Sequence, residues 1–211
     1  MIKFDREKHV YQSQEFEELI KDTIRFFNGT PVHTLPPPEK FYGTGVYAIY
    51  YIGKFPQYKK IYEQNRMSFN HPVYIGKAVP TGWRQARSIH AIGEKTFELH
   101  TRLKEHSTSI SHASNIENKD FRCRFMILEN DASSMIGTVE AALIRFYTPL
   151  WNSSIDGFGN HDPGKGRYNQ AKSDWDVLHP GRPWAEKCQG VHSTGVSVKE
   201  NIATYFTKFK E

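Results

Sequence analysis

The run Gly45-Val46-Tyr47-Ala48-Ile49-Tyr50-Tyr51 constrains the chain more than any other stretch. β-Branched and aromatic residues set between glycines read as a strand, because such side chains fit a pleated surface and glycine punctuates it. Val73-Tyr74-Ile75-Gly76 reads as a second, shorter strand. Phe121-Arg122-Cys123-Arg124-Phe125 alternates apolar with charged residues, as a strand with one wet side does, and continues into Met126-Ile127-Leu128.

Helical spacing fills the intervals. Phe16, Leu19, Ile20, Ile24 and Phe27 share one face of a helix over residues 13–28, with Gly29 placed to stop it. The run Leu35-Pro36-Pro37-Pro38 then reads as an extended linker, which makes residues 1–40 an arm or an outer layer. Residues 95–106 carry Phe97, Leu99 and Leu103 in a helical pattern. Residues 134–147 are the clearest helix, with Ser133 or Ser134 to cap it and Pro149 beyond its end. Residues 197–209 repeat the pattern more weakly through Val198, Ile202, Tyr205 and Phe206. The expected class is α+β: a small central antiparallel or mixed sheet flanked by helices. One domain of 211 residues is expected, with an N-terminal helical arm, a long insertion at 53–72 and a C-terminal extension from 156 to 211.

With 28 Lys and Arg against 23 Asp and Glu, the chain has a formal charge of +5, and its pI is about 9.1. The excess is compatible with a polyanion partner, since neutralising phosphates releases condensed counterions, but many basic proteins bind none. No stretch approaches the roughly 18 apolar residues of a membrane span. The opening Met1-Ile2-Lys3-Phe4-Asp5-Arg6-Glu7-Lys8 is too charged for a secretory signal. Cys123 and Cys188 do not make a disulfide framework. A soluble protein of a reducing compartment, the cytoplasm, is expected.

Three features point to chemistry. On the helix over 134–147, Ile136, Val139, Leu143 and Tyr147 form the inward stripe, and Glu140 falls within it. A carboxylate there must be ion-paired, hydrogen-bonded or bound to a metal, because stranding its charge costs several kcal/mol. Arg102 and His106 lie one helical turn apart, either on an exposed polar face or together facing one phosphate. Tyr47 and Tyr74 sit in strands beside Gly45 and Gly76; tyrosines there usually pack, but glycines allow close backbone approach. His100 and His112 complete no zinc pattern.

Taken together, Gly45-Val46-Tyr47 and Tyr74-Ile75-Gly76 resemble the two halves of the GIY-YIG nuclease motif. Arg102 and His106 on the next helix, Glu140 on a later one and Asn152 after Pro149-Leu150-Trp151 follow in the family's order. The resemblance covers residues 42–155, the expected catalytic core, and is nearest to the small stand-alone Type II restriction endonucleases of that family. The segment between Tyr47 and Tyr74 is longer than the family's usual hairpin. Tyr51-Ile52-Gly53 offers a decoy second half, but it follows Tyr47 without a turn and cannot form an adjacent antiparallel strand.

The resemblance implies hydrolysis of phosphodiester bonds in double-stranded DNA, with Glu140 holding one Mg²⁺, for which Mn²⁺ can substitute. It gives Arg102 to the scissile phosphate, Tyr47 (or Tyr74) to water activation with His106 taking the proton, and Asn152 to orientation of the site. A homodimer on a palindromic site and a cognate DNA methyltransferase would accompany it. Candidate DNA contacts are Lys54, Lys59, Lys60 and Arg66 in the insertion, interleaved with Phe55, Tyr58 and Tyr62; a solvated loop is the alternative there. Lys77, Arg84 and Arg87 follow the second strand. In the C-terminal extension Asn160, Lys165, Arg167, Asn169, Gln170 and Arg182 could read bases, or that segment could be a structural wrap. The rivals are a homing or repair nuclease on the same core, and a basic nucleic-acid-binding protein without catalysis.

Overall fold

A computed structural model of the chain describes residues 3–80 and 95–208; Arg84 and Arg87 lie outside them. Four strands, β1 (Val32–Thr34), β2 (Gly45–Tyr51), β3 (Tyr74–Ala78) and β4 (Phe121–Ile127), form one sheet in the order β1-β4-β2-β3, antiparallel at every pairing. The architecture is α+β, with helices on both faces and no parallel pair among the named strands.

β2 is buried along its whole length because each face of its alternation meets a separate core. Tyr47, Ile49 and Tyr51 pack into a large cluster with Leu99 and Leu103 of α3 (Glu98–His112) and with Trp151. Val46, Ala48 and Tyr50 face the other way, against Ile136, Val139 and Leu143 of α4 (Ile136–Tyr147) and Phe27 of α1 (Gln14–Gly29). The decoy is settled by register: Tyr51 ends β2, whereas Tyr74-Ile75-Gly76 lies alongside it, with Gly76 opposite Tyr47.

The long connection between β2 and β3 folds onto the core. Within it α2 (Lys59–Asn65) buries Ile61, and Tyr58 is fully enclosed. Asn65 donates to the carbonyls of Tyr51 (3.1 Å) and His71 (2.9 Å) and accepts from the His71 N–H (3.0 Å), tying the two ends of the insertion together. This corrects the expectation of a solvated loop, since the insertion packs on the core. Tyr58 belongs to the interior, where its hydroxyl meets His179 Nε2 at 2.6 Å and accepts from Trp151 Nε1 at 2.9 Å. Lys54, Lys59, Lys60 and Arg66 remain exposed.

Two local departures have identifiable reasons. Ser133 and Ser134 do not cap α4; their hydroxyls donate to the carbonyls of Asn130 and Asp131, both at 2.7 Å, within a 3₁₀ turn that leads into the helix. β1 lies just ahead of the Leu35–Pro38 run read as a linker, in a stretch where no element was placed, because three residues are too few to show a strand period. At the other end of α4, Thr148 takes the left-handed conformation (φ 46°) and Pro149 follows.

The segment after residue 156 is a third layer. Trp175 and Leu178 of α6 (Asp174–Leu178) join the large cluster, as do Val198, Ile202 and Tyr205 of α7 (Gly195–Thr207). Arg182 is 1% exposed, so it reads no base. Its guanidinium grips Asp176 through Nε (2.6 Å) and Nη2 (2.7 Å) and donates to the carbonyls of Gly157, Phe158 and Asn160. Asn160, Lys165, Arg167, Asn169 and Gln170 stay at the surface. Both cysteines are buried and neither forms a disulfide. Among the described residues, no helix is long and apolar enough to cross a membrane.

Candidate active site

Alternation along β2 and β3 sends Tyr47 and Tyr74 to the face covered by α3, and one turn of α3 brings Arg102 and His106 beneath them. The Tyr47 hydroxyl is 2.6 Å from His106 Nε2, and both residues are buried. Tyr74 leans on the same imidazole edge-on, with ring centroids 5.2 Å apart. Gly76 makes this possible: a Cβ there would sit 2.6 Å from Tyr47 Cζ and 3.0 Å from Tyr74 Cε1.

Burial sets the protonation of the pair. It pushes the Tyr47 phenol well above its usual range, with Tyr74 adding to the rise and Arg102 pulling back. It holds the His106 imidazole well below its usual range, reinforced by the charges of Arg102 and Arg182 and by His161. Both groups are therefore neutral near pH 7, and His106 can accept a proton through Nε2. Tyr74 is raised for the same reason as Tyr47, and Arg102 opposes that rise as well.

Arg102 donates through Nη1 to Glu105 (2.8 Å) and to His161 Nε2, and through Nη2 to the Gly159 carbonyl (3.2 Å). Burial works against its charge, but Tyr47, Glu105 and Tyr74 outweigh that and raise its pKa. Phe158 stacks on the His106 ring at 4.6 Å, with 17° between the planes. Residues 158, 159 and 161 therefore wall the site. None was legible in the sequence, since that segment has no periodicity to place it.

Glu140 approaches from the α4 side of the sheet. Its Oε2 is 2.5 Å from Lys77 Nζ, with 18% of the carboxylate side chain exposed. Its ion-pair partner is a lysine, placed by the same alternation that turns Ile75 and Lys77 away from Tyr74 and Gly76. Lys77, expected at DNA, is thus a neighbour of the acid. The Glu140 charge disfavours ionisation of both Tyr47 and Tyr74, so carboxylate and phenols share one electrostatic site. Among the described residues no three His, Cys, Asp or Glu side chains converge. A cation held by Glu140 would keep mostly water ligands, which suits a hard ion such as Mg²⁺.

Asn152, on α5 (Leu150–Ser153), spends its whole amide on Ile75: Oδ1 accepts from the N–H and Nδ2 donates to the carbonyl, both at 2.8 Å. It braces the outer edge of β3 between Tyr74 and Gly76. All six positions singled out in the sequence lie on or against β2 and β3 or the two helices that cover them.

The model of one family, described as the Eco29kI GIY-YIG domain, matches residues 39–206. That is most of the chain. The protein belongs to the Eco29kI GIY-YIG family. Membership in this restriction endonuclease family makes the protein a nuclease that acts on DNA, and GIY-YIG nucleases generally use divalent metals. The GIY-YIG match runs well past residue 155 and so includes Phe158, Gly159 and His161. A search of curated proteins finds no match.

Proposed function

We propose that the protein is a Type II restriction endonuclease that hydrolyses phosphodiester bonds in double-stranded DNA at a specific, palindromic site. The observation that carries this reading is the 2.6 Å contact between Tyr47 and His106 with Arg102 beside it. A phenol with an ordinary pKa of ~10 activates water only if its own proton has somewhere to go. Neutral His106 supplies that acceptor. Tyr47 passes its proton to Nε2 while drawing one from a water in line with the scissile phosphorus. Arg102 binds a non-bridging oxygen of the phosphate and favours the anionic form of Tyr47. Tyr74 narrows the position of the water, and Asn152 holds the strand that carries Tyr74.

Glu140 is the residue that would hold Mg²⁺ (or Mn²⁺). Such an ion stabilises negative charge on the phosphoryl group and the leaving oxygen. Lys77 neutralises the carboxylate when no cation does.

The remaining assignments follow from what a palindromic target requires. One site per chain cuts one strand, so two chains related by a two-fold axis cut both. The exposed Lys54, Lys59, Lys60, Arg66, Lys165 and Arg167 are assigned to DNA phosphates, and Asn160, Asn169 and Gln170 to base edges. The protein works in the bacterial cytoplasm beside a methyltransferase that protects the host site. Incubation of supercoiled plasmid with the protein in Mg²⁺ and in EDTA tests the reading. Discrete fragments in Mg²⁺ and intact DNA in EDTA are expected. DNA left intact in both, or cut equally in both, overturns it.

A further inference from the structure

We infer that His161 is a second residue that contacts the scissile phosphate, masking Arg102 in the free protein and turning to the phosphate when DNA arrives. The inference rests on the endonuclease reading above, in which Arg102 is the phosphate ligand.

Among the described residues, Glu105, the Gly159 carbonyl and His161 accept from the Arg102 guanidinium. Both N–H groups of Nη1 are engaged, so a phosphate oxygen that binds there must take the place of Glu105 or His161. Glu105 lies on the same helix one turn away and carries charge, so it competes strongly. Gly159 is fixed by its surroundings, because Arg182 donates to the carbonyls on either side of it, at Phe158 and Asn160. Its Cα also abuts Tyr74, whose hydroxyl would stand 2.7 Å from a Cβ at that position. His161 is different: it is exposed and accepts from Arg102 as an uncharged imidazole. A phosphate monoanion is the stronger acceptor for a guanidinium, so it displaces the imidazole first.

The displaced ring cannot go far. Its backbone is two residues beyond Gly159 and one beyond Asn160, whose carbonyl Arg182 holds at 3.2 Å. It therefore stays at the rim beside the incoming phosphate, and a ring that accepts at Nε2 carries its proton on Nδ1, which can be donated to a phosphate oxygen. A second observation is independent of the Arg102 contact: Phe158, three residues before His161, stacks on the His106 ring and holds this stretch against the Tyr47–His106 pair. Arg102 and His161 then clasp non-bridging oxygens from two elements, α3 and the strap over residues 157–161.

Steady-state cleavage of supercoiled plasmid in Mg²⁺ by wild type, His161→Ala and His161→Gln tests this, with thermal melting as the folding control. The expected loss for His161→Ala is about 10- to 100-fold in kcat, the range of one charge-assisted hydrogen bond. KM should move little and the melting temperature not at all, because His161 is exposed. His161→Gln keeps a donor and should recover part of the rate. A His161→Ala rate equal to wild type or above it, as a mere mask of Arg102 would give, overturns the inference; so does a loss confined to KM, or no recovery with Gln. Wild-type protein that leaves the plasmid intact is a different failure, that of the endonuclease reading itself.

Discussion

Tyr47 and Gly76 are opposed across β2 and β3, and the Tyr47 ring lies where a Gly76 side chain would be. The second glycine of the motif is thus a steric requirement of the first tyrosine. Gly76→Ala should force the Tyr47 ring away from His106. Overpacking of this kind costs about 1–3 kcal/mol, and thermal melting should register it as a drop of several degrees, roughly 2–4 °C per kcal/mol at this size. Cleavage should fall much further than stability.

Asn152 offers a cleaner separation of packing from chemistry. Asn152→Asp keeps the shape but replaces the Nδ2 donor with a carboxylate oxygen facing the Ile75 carbonyl. An unmet buried group costs about 1–3 kcal/mol. Amide hydrogen exchange along β3 should quicken, and cleavage should fall because Tyr74 and Gly76 flank the loosened residue. Unchanged exchange at Ile75 would contradict the bracing role.

Arg182 and the exposed basic residues should behave in opposite ways. Removing one partner of a buried ion pair costs about 3–5 kcal/mol, so Arg182→Ala should melt far below wild type. Lys165→Ala and Arg167→Ala should melt with wild type and instead weaken plasmid binding, each reducing its dependence on salt.

Stability should depend on pH through buried His106 and His179 and half-buried His71. Burial lowers His106 well below its usual range, His71 to about 4 and His179 to about 3. Their folded pKa values lie below the unfolded value near 6.5, so the unfolded chain binds the extra protons as pH falls. Stability should be intact above about pH 6.5 and decline below it, with a slope approaching about 1.4 kcal/mol per pH unit for each histidine. Urea unfolding at pH 7.5 and pH 5 checks the sign; a protein equally stable at both would contradict the neutral burial of these rings.

Much of the sheet and both covering helices were legible because periodicity reports burial: Gly45–Tyr51, Phe121–Ile127 and the stripe through Val139 and Leu143 each lie where their spacing indicates. The six candidate positions were legible only as an ordered set, since a tyrosine in a strand or a histidine on a helix is commonplace alone. The site's outer wall was not. Phe158 and His161 lie in a segment without repeat, and its path is set by Arg182, a residue whose type suggested a surface role. Tyr58 misled for a related reason: lysines on either side of it are exposed, while its own hydroxyl is buried and joins a hydrogen-bonded chain through His179 to Asn115.

Tyr47→Phe removes the one hydroxyl on which the proposed chemistry depends and leaves its ring packing in place. Its single-turnover cleavage rate in Mg²⁺ should fall by about 10²- to 10⁴-fold, the usual worth of general base catalysis, with plasmid affinity and melting temperature near wild type. Turnover within a few-fold of wild type would contradict the assignment of Tyr47 and His106 as the proton-transfer pair.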